Sequence, residues 1–462
     1  MASRNPSTRL IQAFFAWKSV LFIVAAFSPG PGYDTSALIA SNPTSSRHVD
    51  FHSWPVIDRV SLNFFRWDAL YFVKSAQRGY HYEQEWAFSW AYSLLLKTLV
   101  KHSETLTLAV VSGDESISLQ NYVWAGIIVS NACHLVSVVV LHRLSSLVLD
   151  RRHSGRVPFV AAMLHIVSPA GMFLSSPYAE SLFAALNFTG MLLYAQARIT
   201  DRPGRKQTVR EGALILGAGV LFMLATWIRS NGLLSGILFL FDVVPFVSRL
   251  LDRELSLNDI RKLVITCSSG ALLGLGSIGP QYVAYQQYCV SQAGPSLRPW
   301  CSKTIPSIYT WVQRYYWNVG FLRYWTFSNL PLFLMAGPML WLLLQTGIDY
   351  LRNSSQQPLG PSKTQPRGEG KDINEASTGL PQLALPQLIL AITAATNFHV
   401  QVINRLSSGY PVWYIATSGW MIARESVAQK TKVFEGSKWI CRGLIIYALV
   451  QGSLFANFLP PA

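Results

Sequence analysis

Eleven near-continuous apolar stretches, most of them about 20 residues long, recur along this 462-residue chain and constrain it more than any other feature. An α-helix rises about 1.5 Å per residue, so each stretch can cross the hydrocarbon core of a bilayer, where only helices and closed barrels satisfy every backbone group. The stretches are Leu10 to Phe27, then 121–148, 157–174, 178–197, 211–228, 231–248, 263–283, 327–346, 382–400, 411–427 and 439–458. They predict an all-α polytopic membrane protein with about 11 transmembrane helices. Composition agrees: half of the residues are hydrophobic and only 13% are charged, against about a quarter charged in soluble domains.

Lys and Arg outnumber Asp and Glu 38 to 23, a formal charge of +15. The excess sits in short loops between apolar stretches, which is cytosolic sorting and not a nucleic-acid-binding patch. These loops are Arg151-Arg152-His153, the run 198–210 with Arg202, Arg205 and Lys206, the run 249–262, and the stretch with Arg424, Lys430, Lys432 and Lys438. Placing them in the cytosol puts segments 29–85, 168–180, 284–326 and 399–411 and the end near Arg229 on the lumenal side, with a lumenal C-terminus. The first stretch then reads as an uncleaved anchor; a signal peptide cleaved near Ala25-Ala26 is the alternative. Residues 86–100 are apolar but short, and a crossing there would invert every later loop. They read as re-entrant or interfacial.

The chain is thus expected to be one membrane-embedded domain over 1–462. It includes a lumenal loop 29–100 with an interfacial helix, an aromatic lumenal loop 284–326 and a disordered cytosolic linker 351–381. The linker carries the sequon Asn353-Ser354-Ser355, and a second one, Asn187-Phe188-Thr189, falls inside a span. The five cysteines lack the spacing of a zinc site. Cys289 and Cys301 share one loop and either pair in an oxidising lumen or stay as thiols.

Ionisable residues at membrane depth are costly and tend to mark function. In stretch 64–85, Phe65, Ala69, Phe72, Val73 and Ala76 form one helical face, with Asp68, Tyr71 and Ser75 as a polar strip beside it. Asp68 is either a reactive carboxylate or the partner of Arg66 or Lys74 on a solvated face. Between two spans, Pro169 and Pro177 free backbone groups to line a polar cavity beside Glu180, which is otherwise a helix-start carboxylate. Arg229 and Arg405 lie on the lumenal side, where sorting gives no reason for an arginine; they suit a phosphate, or else snorkel to headgroups. The aromatics of 284–326 fit an interfacial belt.

In order along the chain come Arg66-Trp67-Asp68-Ala69, Arg78-Gly79-Tyr80 with Tyr82-Glu83, Ser168-Pro169-Ala170, Tyr178-Ala179-Glu180-Ser181-Leu182-Phe183 and Arg229-Ser230-Asn231-Gly232. Tyr316-Trp317-Asn318-Val319-Gly320-Phe321-Leu322-Arg323-Tyr324 and Arg405-Leu406-Ser407-Ser408-Gly409-Tyr410-Pro411 follow. This ordered set resembles the GPI mannosyltransferase 2 family from about Phe64 to Pro411. One departure is the stretch Ala87-Phe88-Ser89-Trp90-Ala91, where relatives carry a Phe-Phe-Pro-Gly-like turn.

The resemblance implies a multi-pass endoplasmic-reticulum enzyme of GT-C architecture with a lumenal active site. It implies dolichyl phosphate mannose as donor, a mannosyl-glucosaminyl-phosphatidylinositol GPI precursor as acceptor and an α-1,6 bond. In that setting Asp68 serves as general base in an inverting displacement, Arg229 and Arg405 hold the donor phosphate, and Glu83 or Glu180 orients acceptor or base. Trp67, Asn231 and His399, which flank these residues in sequence, complete the substrate-binding set. A phosphate leaving group departs as a stabilised anion, so no second carboxylic acid is required, unlike glycoside hydrolysis. No cofactor and no metal cluster are expected; a divalent ion held by residues distant in sequence stays open, as does a small accessory subunit. The competing classes are a lipid transporter or scramblase, for which no inverted repeats are visible, and a non-catalytic membrane subunit.

Overall fold

The computed structural model describes residues 5–29, 36, 55–108, 118–149, 155–200, 208–251, 256–290, 298–355, 380–428 and 435–459. Most of the expected linker, and the basic residues Arg151, Arg152, His153, Arg202, Arg205, Lys206, Lys430 and Lys432, lie outside the described residues. The described chain is built of helices α1 (Pro6–Phe27), α2 (Val56–Phe64), α3 (Ala69–Arg78), α4 (Trp90–Leu108), α5 (Leu119–Val148) and α6 (Arg156–Ile166). They are followed by α7 (Glu180–Thr200), α8 (Val209–Ile228), α9 (Ile237–Leu251), α10 (Leu257–Tyr285) and α11 (Ile308–Tyr315). The last are α12 (Leu330–Ser355), α13 (Leu385–Thr396), α14 (Ile403–Leu406), α15 (Val412–Ala428) and α16 (Glu435–Ala456). Seven helical runs among the described residues are long and apolar enough to cross a membrane.

Two long helices begin at reciprocal caps written in the sequence. Thr208 accepts the Glu211 amide at 3.2 Å while the Glu211 carboxylate accepts the Thr208 amide at 2.8 Å; Ser256 and Asp259 repeat the device at α10. α7 packs on α8 with Gly190 against the Phe222 ring. α8 and α10 run parallel in close contact, Gly219 against Ser269 and Gly276 against Thr226, so the chain returns through α9 between them. α1 packs on the other helices: Leu10, Phe14, Lys18, Leu21 and Ala25 are its buried stripe.

Three sequence expectations are corrected. The predicted span 157–174 is helical only to Ile166; residues 167–179 continue as buried turns. The prolines explain this, and the freed carbonyls find partners in the protein: Leu174 accepts from Lys18 Nζ at 2.9 Å and from Ser181, and Ser175 accepts from Asn131. Stretch 64–85 is not one helix. It breaks between α2 and α3, where Trp67 takes φ +55°, so Asp68 is the residue before α3 and not part of a helical face. The apolar residues of that stretch are buried, and so is Ser75, which leaves the expected polar strip incomplete. Segment 86–100 holds a short turn and the start of the 19-residue helix α4, capped by Ser89 accepting the Tyr92 amide at 3.1 Å; a helix there is compatible with the re-entrant and with the interfacial reading. Finally, α12 runs through Ser355, so the first residues assigned to the linker are helical.

α5 approaches the Ser168–Glu180 turn at Gly126, where a Cβ would stand 2.4 Å from Pro177 Cβ. Gly126→Ala should therefore lower the melting temperature of the solubilised protein, by overpacking worth roughly 1–3 kcal/mol. Gly452→Ala, inside α16 where a Cβ meets nothing within 4 Å, should hold or raise it, since Ala is the better helix former; equal melting of the two variants would contradict this packing.

Candidate active site

The break that ends α2 also aims Asp68. Tyr178, fully buried, places its hydroxyl between two segments: it accepts the Asp68 amide at 3.0 Å and donates to the Arg66 carbonyl at 3.1 Å. Trp67 turns away against Phe458, with ring centroids 5.0 Å apart, while Arg66 packs over the same Phe458 ring and donates to Asn63 at 2.7 Å. The carboxylate that emerges from this clamp pairs with neither Arg66 nor Lys74. Arg405 Nη1, from α14, donates to Asp68 Oδ2 at 2.6 Å.

Arg405 is itself held on both sides. Its Nε lies 3.5 Å from Glu180 Oε1, and Arg229 Nη1 donates to that same oxygen at 2.6 Å. The result is an ordered row, Asp68–Arg405–Glu180–Arg229, drawn from four segments far apart in sequence. Glu180 is 1% exposed and opens α7, so it is both the helix-start carboxylate and a cavity-side anchor for two cations. The faces of Phe173 and Tyr178 cover the Arg405 guanidinium at 5.3 and 5.8 Å. Arg229 follows α8 in extended conformation, and the chain then folds back so tightly that a Cβ on Gly232 would stand 2.7 Å from the Thr226 nitrogen. Only glycine fits there.

The row borders a cavity of about 1000 Å³, and Asp68 is the sole carboxylate among the described residues that line it. Asn231 and His399 also line it. Asn231 exchanges hydrogen bonds of 3.0 Å with the buried Tyr410 hydroxyl, and His399 donates to the Trp317 carbonyl at 3.1 Å while stacking on Tyr324. Burial, and then the nearby Asp68 carboxylate, push the Tyr71 phenol up from its ordinary value, which keeps it a neutral donor.

Two expected site residues fall elsewhere. Trp67 does not line the cavity. Glu83 is buried under the aromatic loop, accepting from Trp300 at 3.0 Å, Trp311 at 3.3 Å and Tyr316 at 3.4 Å, with Arg298 at 3.5 Å. It pins that loop over the cavity edge, because a buried carboxylate gathers whatever donors surround it. Arg229 and Arg405 are also not the free phosphate forks expected, since each already holds a carboxylate. Tyr178 and Tyr410 are positioning residues that sequence reading did not single out; their place in the same ordered motifs as Glu180 and Arg405 is the signal that was there. Among the described residues, no three His, Cys, Asp or Glu side chains gather as a metal site.

Cys289 and Cys301 are disulfide-bonded, joining the end of α10 to the loop before α11. Alkylation of the denatured, unreduced protein should label three cysteines, Cys133, Cys267 and Cys441, and all five after reduction; five labelled without reductant would contradict the pairing.

A family model described as mannosyltransferase (PIG-V) matches residues 8–462. The chain is 38% identical over 473 residues to GPI mannosyltransferase 2 of Aspergillus oryzae, covering 99% of this chain and 96% of that one. It is 39% identical to GPI mannosyltransferase 2 of Aspergillus fumigatus, covering 99% and 94%. Among solved structures, it aligns with the Archaeoglobus fulgidus oligosaccharyltransferase in complex with zinc and sulfate at 12% identity and a TM-score of 0.41. That alignment covers 96% of this chain but about half, 53%, of the longer one.

Proposed function

This chain belongs to the mannosyltransferase (PIG-V) family, and on that premise we propose that it adds a mannose to the lipid-linked precursor of the GPI anchor. The reading is that of a multi-pass membrane glycosyltransferase that takes the second mannose from dolichyl phosphate mannose and joins it through an α-1,6 bond. The acceptor is the mannosyl-glucosaminyl-phosphatidylinositol lipid, and the site faces the lumen of the endoplasmic reticulum. The observation that carries the chemistry is the isolation of Asp68 as the one carboxylate lining the cavity among the described residues, with Oδ2 fixed by Arg405.

In the proposed step, Asp68 Oδ1 takes the proton of the acceptor hydroxyl as its oxygen attacks the anomeric carbon. The bond from that carbon to the phosphate oxygen breaks, and its electron pair leaves with the phosphate. Attack opposite the leaving group turns a β-linked donor into an α-linked product. One carboxylate suffices because the phosphate departs as an anion, needing no proton. Arg405 then acts on the base, holding it in one orientation, and Glu180 and Arg229 hold Arg405. No cofactor enters this scheme; dolichyl phosphate mannose is a substrate.

The lumenal assignment rests on two features. The Cys289–Cys301 bond lies beside Glu83 and the cavity edge, and such bonds persist in oxidising compartments. The opposite helix ends carry Arg198, Arg249, Lys262 and Arg352, as cytosolic ends do.

Asp68→Asn keeps the size and loses the base, so transfer to the GPI precursor in microsomes should fall by roughly 10²–10⁴-fold at normal expression. A rate near wild type would remove Asp68 from the mechanism. Arg405→Lys, which keeps charge but cannot reach Asp68 and Glu180 with one planar group, should cost at least about tenfold.

A further inference from the structure

The row Asp68–Arg405–Glu180–Arg229 is balanced, two carboxylates against two guanidinium groups, so it offers a phosphate no surplus charge. A displacement with inversion also places the leaving phosphate across the anomeric carbon from the base, whereas Arg405 is bonded to the base itself. The phosphate therefore needs other cations in the same cavity. Two line it, Arg314 at the end of α11 and Arg323 in the turn that follows.

Both stand on the side of the bilayer where topological sorting does not account for arginine. The neighbouring cations of that loop are occupied: Arg298 lies 3.5 Å from Glu83, and Lys303 sits over the Trp311 ring at 5.4 Å. Arg314 and Arg323 meet no carboxylate among the described residues; the Arg323 side chain makes one hydrogen bond among them, Nη1 to Asn318 Oδ1 at 3.3 Å. Yet the backbone that presents Arg323 is fixed. Asn318 and Leu322 adopt positive φ of 51° and 55°, and the turn is tied to the end of α13 by Gly320 N to Asn397 O at 3.0 Å and Leu322 N to Thr396 O at 2.6 Å. Trp325 adds an indole bond to the Ala395 carbonyl at 2.7 Å. Non-glycine residues hold positive φ where the surroundings over-determine it, commonly at ligand sites.

Along the chain around and after Arg323 the exposed residues are apolar: Phe321, Trp325, Phe327, Leu330 and Leu334 are 71, 59, 96, 53 and 69% exposed. A lipid chain would lie on such a strip while its phosphate reaches the arginines. We propose that Arg314 and Arg323 form the subsite for a lipid-borne phosphodiester, and that the ligand it takes in the reaction is the phosphate of the polyprenyl-linked mannose donor. The subsite rests on the transfer reaction proposed above for its assignment to donor over acceptor, but not for the binding itself.

The test uses the purified full-length protein. Arg314→Gln and Arg323→Gln should each lower kcat/KM for dolichyl phosphate mannose by about ten- to a hundredfold, the usual effect of losing a bond to a charged group, and leave the acceptor KM within about twofold. Dolichyl phosphate should raise the melting temperature of the wild type, uncharged dolichol should not, and the Arg314→Gln protein should lose most of that rise. The Arg314 side chain makes no hydrogen bond or ion pair among the described residues, so this variant is expected to fold even where Arg323→Gln perturbs its turn. An undiminished dolichyl phosphate shift in Arg314→Gln, or an unchanged kcat/KM for the donor, overturns the subsite. A rise confined to the acceptor KM also overturns it, by assigning the pair to the inositol phosphodiester. Failure of the wild type to transfer mannose, with the dolichyl phosphate shift intact, would instead sink the reaction and keep the binding site.

Discussion

The interaction on which the site depends is the contact between Arg405 and Asp68. Neither group is fully buried, but Glu180, the next in the row, is, and a buried carboxylate persists only when cations satisfy it. Arg405 and Arg229 meet that demand from different ends of the chain. Removing one member of such a buried set typically costs about 3–5 kcal/mol, because the remaining charges are left without water or partner. The row therefore couples four segments: the break before α3, the start of α7, the end of α8 and α14. Each is a helix end, and at that end of the bundle the backbone must bend in any case. Tyr178 adds a second tie between the first two, bonding the Asp68 amide and the Arg66 carbonyl at once.

A second carboxylate does comparable work a short distance away. Glu83 draws three aromatic donors and Arg298 around it, and the Cys289–Cys301 bond closes the same small cluster. That cluster sets where α11 lies and, through it, where Arg314 and the turn at Asn318 stand relative to the cavity. Residues 55–100 thus contribute Asp68 directly and, through Glu83, part of the frame that residues 298–316 complete around the cavity.

What the sequence made legible is mainly what periodicity and side-chain type encode. Long apolar stretches and the Thr208–Glu211 and Ser256–Asp259 pairs announce helices and their starts, since a hydrogen-bonded helix is the cheapest state for such a stretch in lipid. Arginines outside the basic loops and an acid beside Trp67 were equally visible as residues out of place. Less visible was pairing. Nothing within residues 64–85 says that Asp68 turns to Arg405, 337 positions away, and not to Lys74. Nor does spacing show that Trp67 leaves the helical path at φ +55°, which removes Asp68 from the face predicted for it. The prolines at 169 and 177 marked a break, but its extent, from Val167 to Ala179, follows from Lys18 and Asn131 satisfying the freed carbonyls. Those partners lie on α1 and α5.

In the proposed reaction, charge balance explains why one arginine does not serve both purposes. A guanidinium bonded to the base fixes its direction, and its attraction for a phosphate is reduced by the very carboxylate it holds. A phosphate that gains charge as it leaves is best met by cations that have no other counter-charge, placed before the reaction so that nothing need reorganise. On that proposal the two tasks are apart in space: Arg405 lies under the rings of Phe173 and Tyr178 beside its carboxylates, while Arg314 and Arg323 are exposed. Such a division also fits where the substrates come from. A lipid-borne phosphate travels at the level of the headgroups and would reach the rim first, so the proposed reaction places the charge that selects it there and the proposed base, Asp68, one layer deeper.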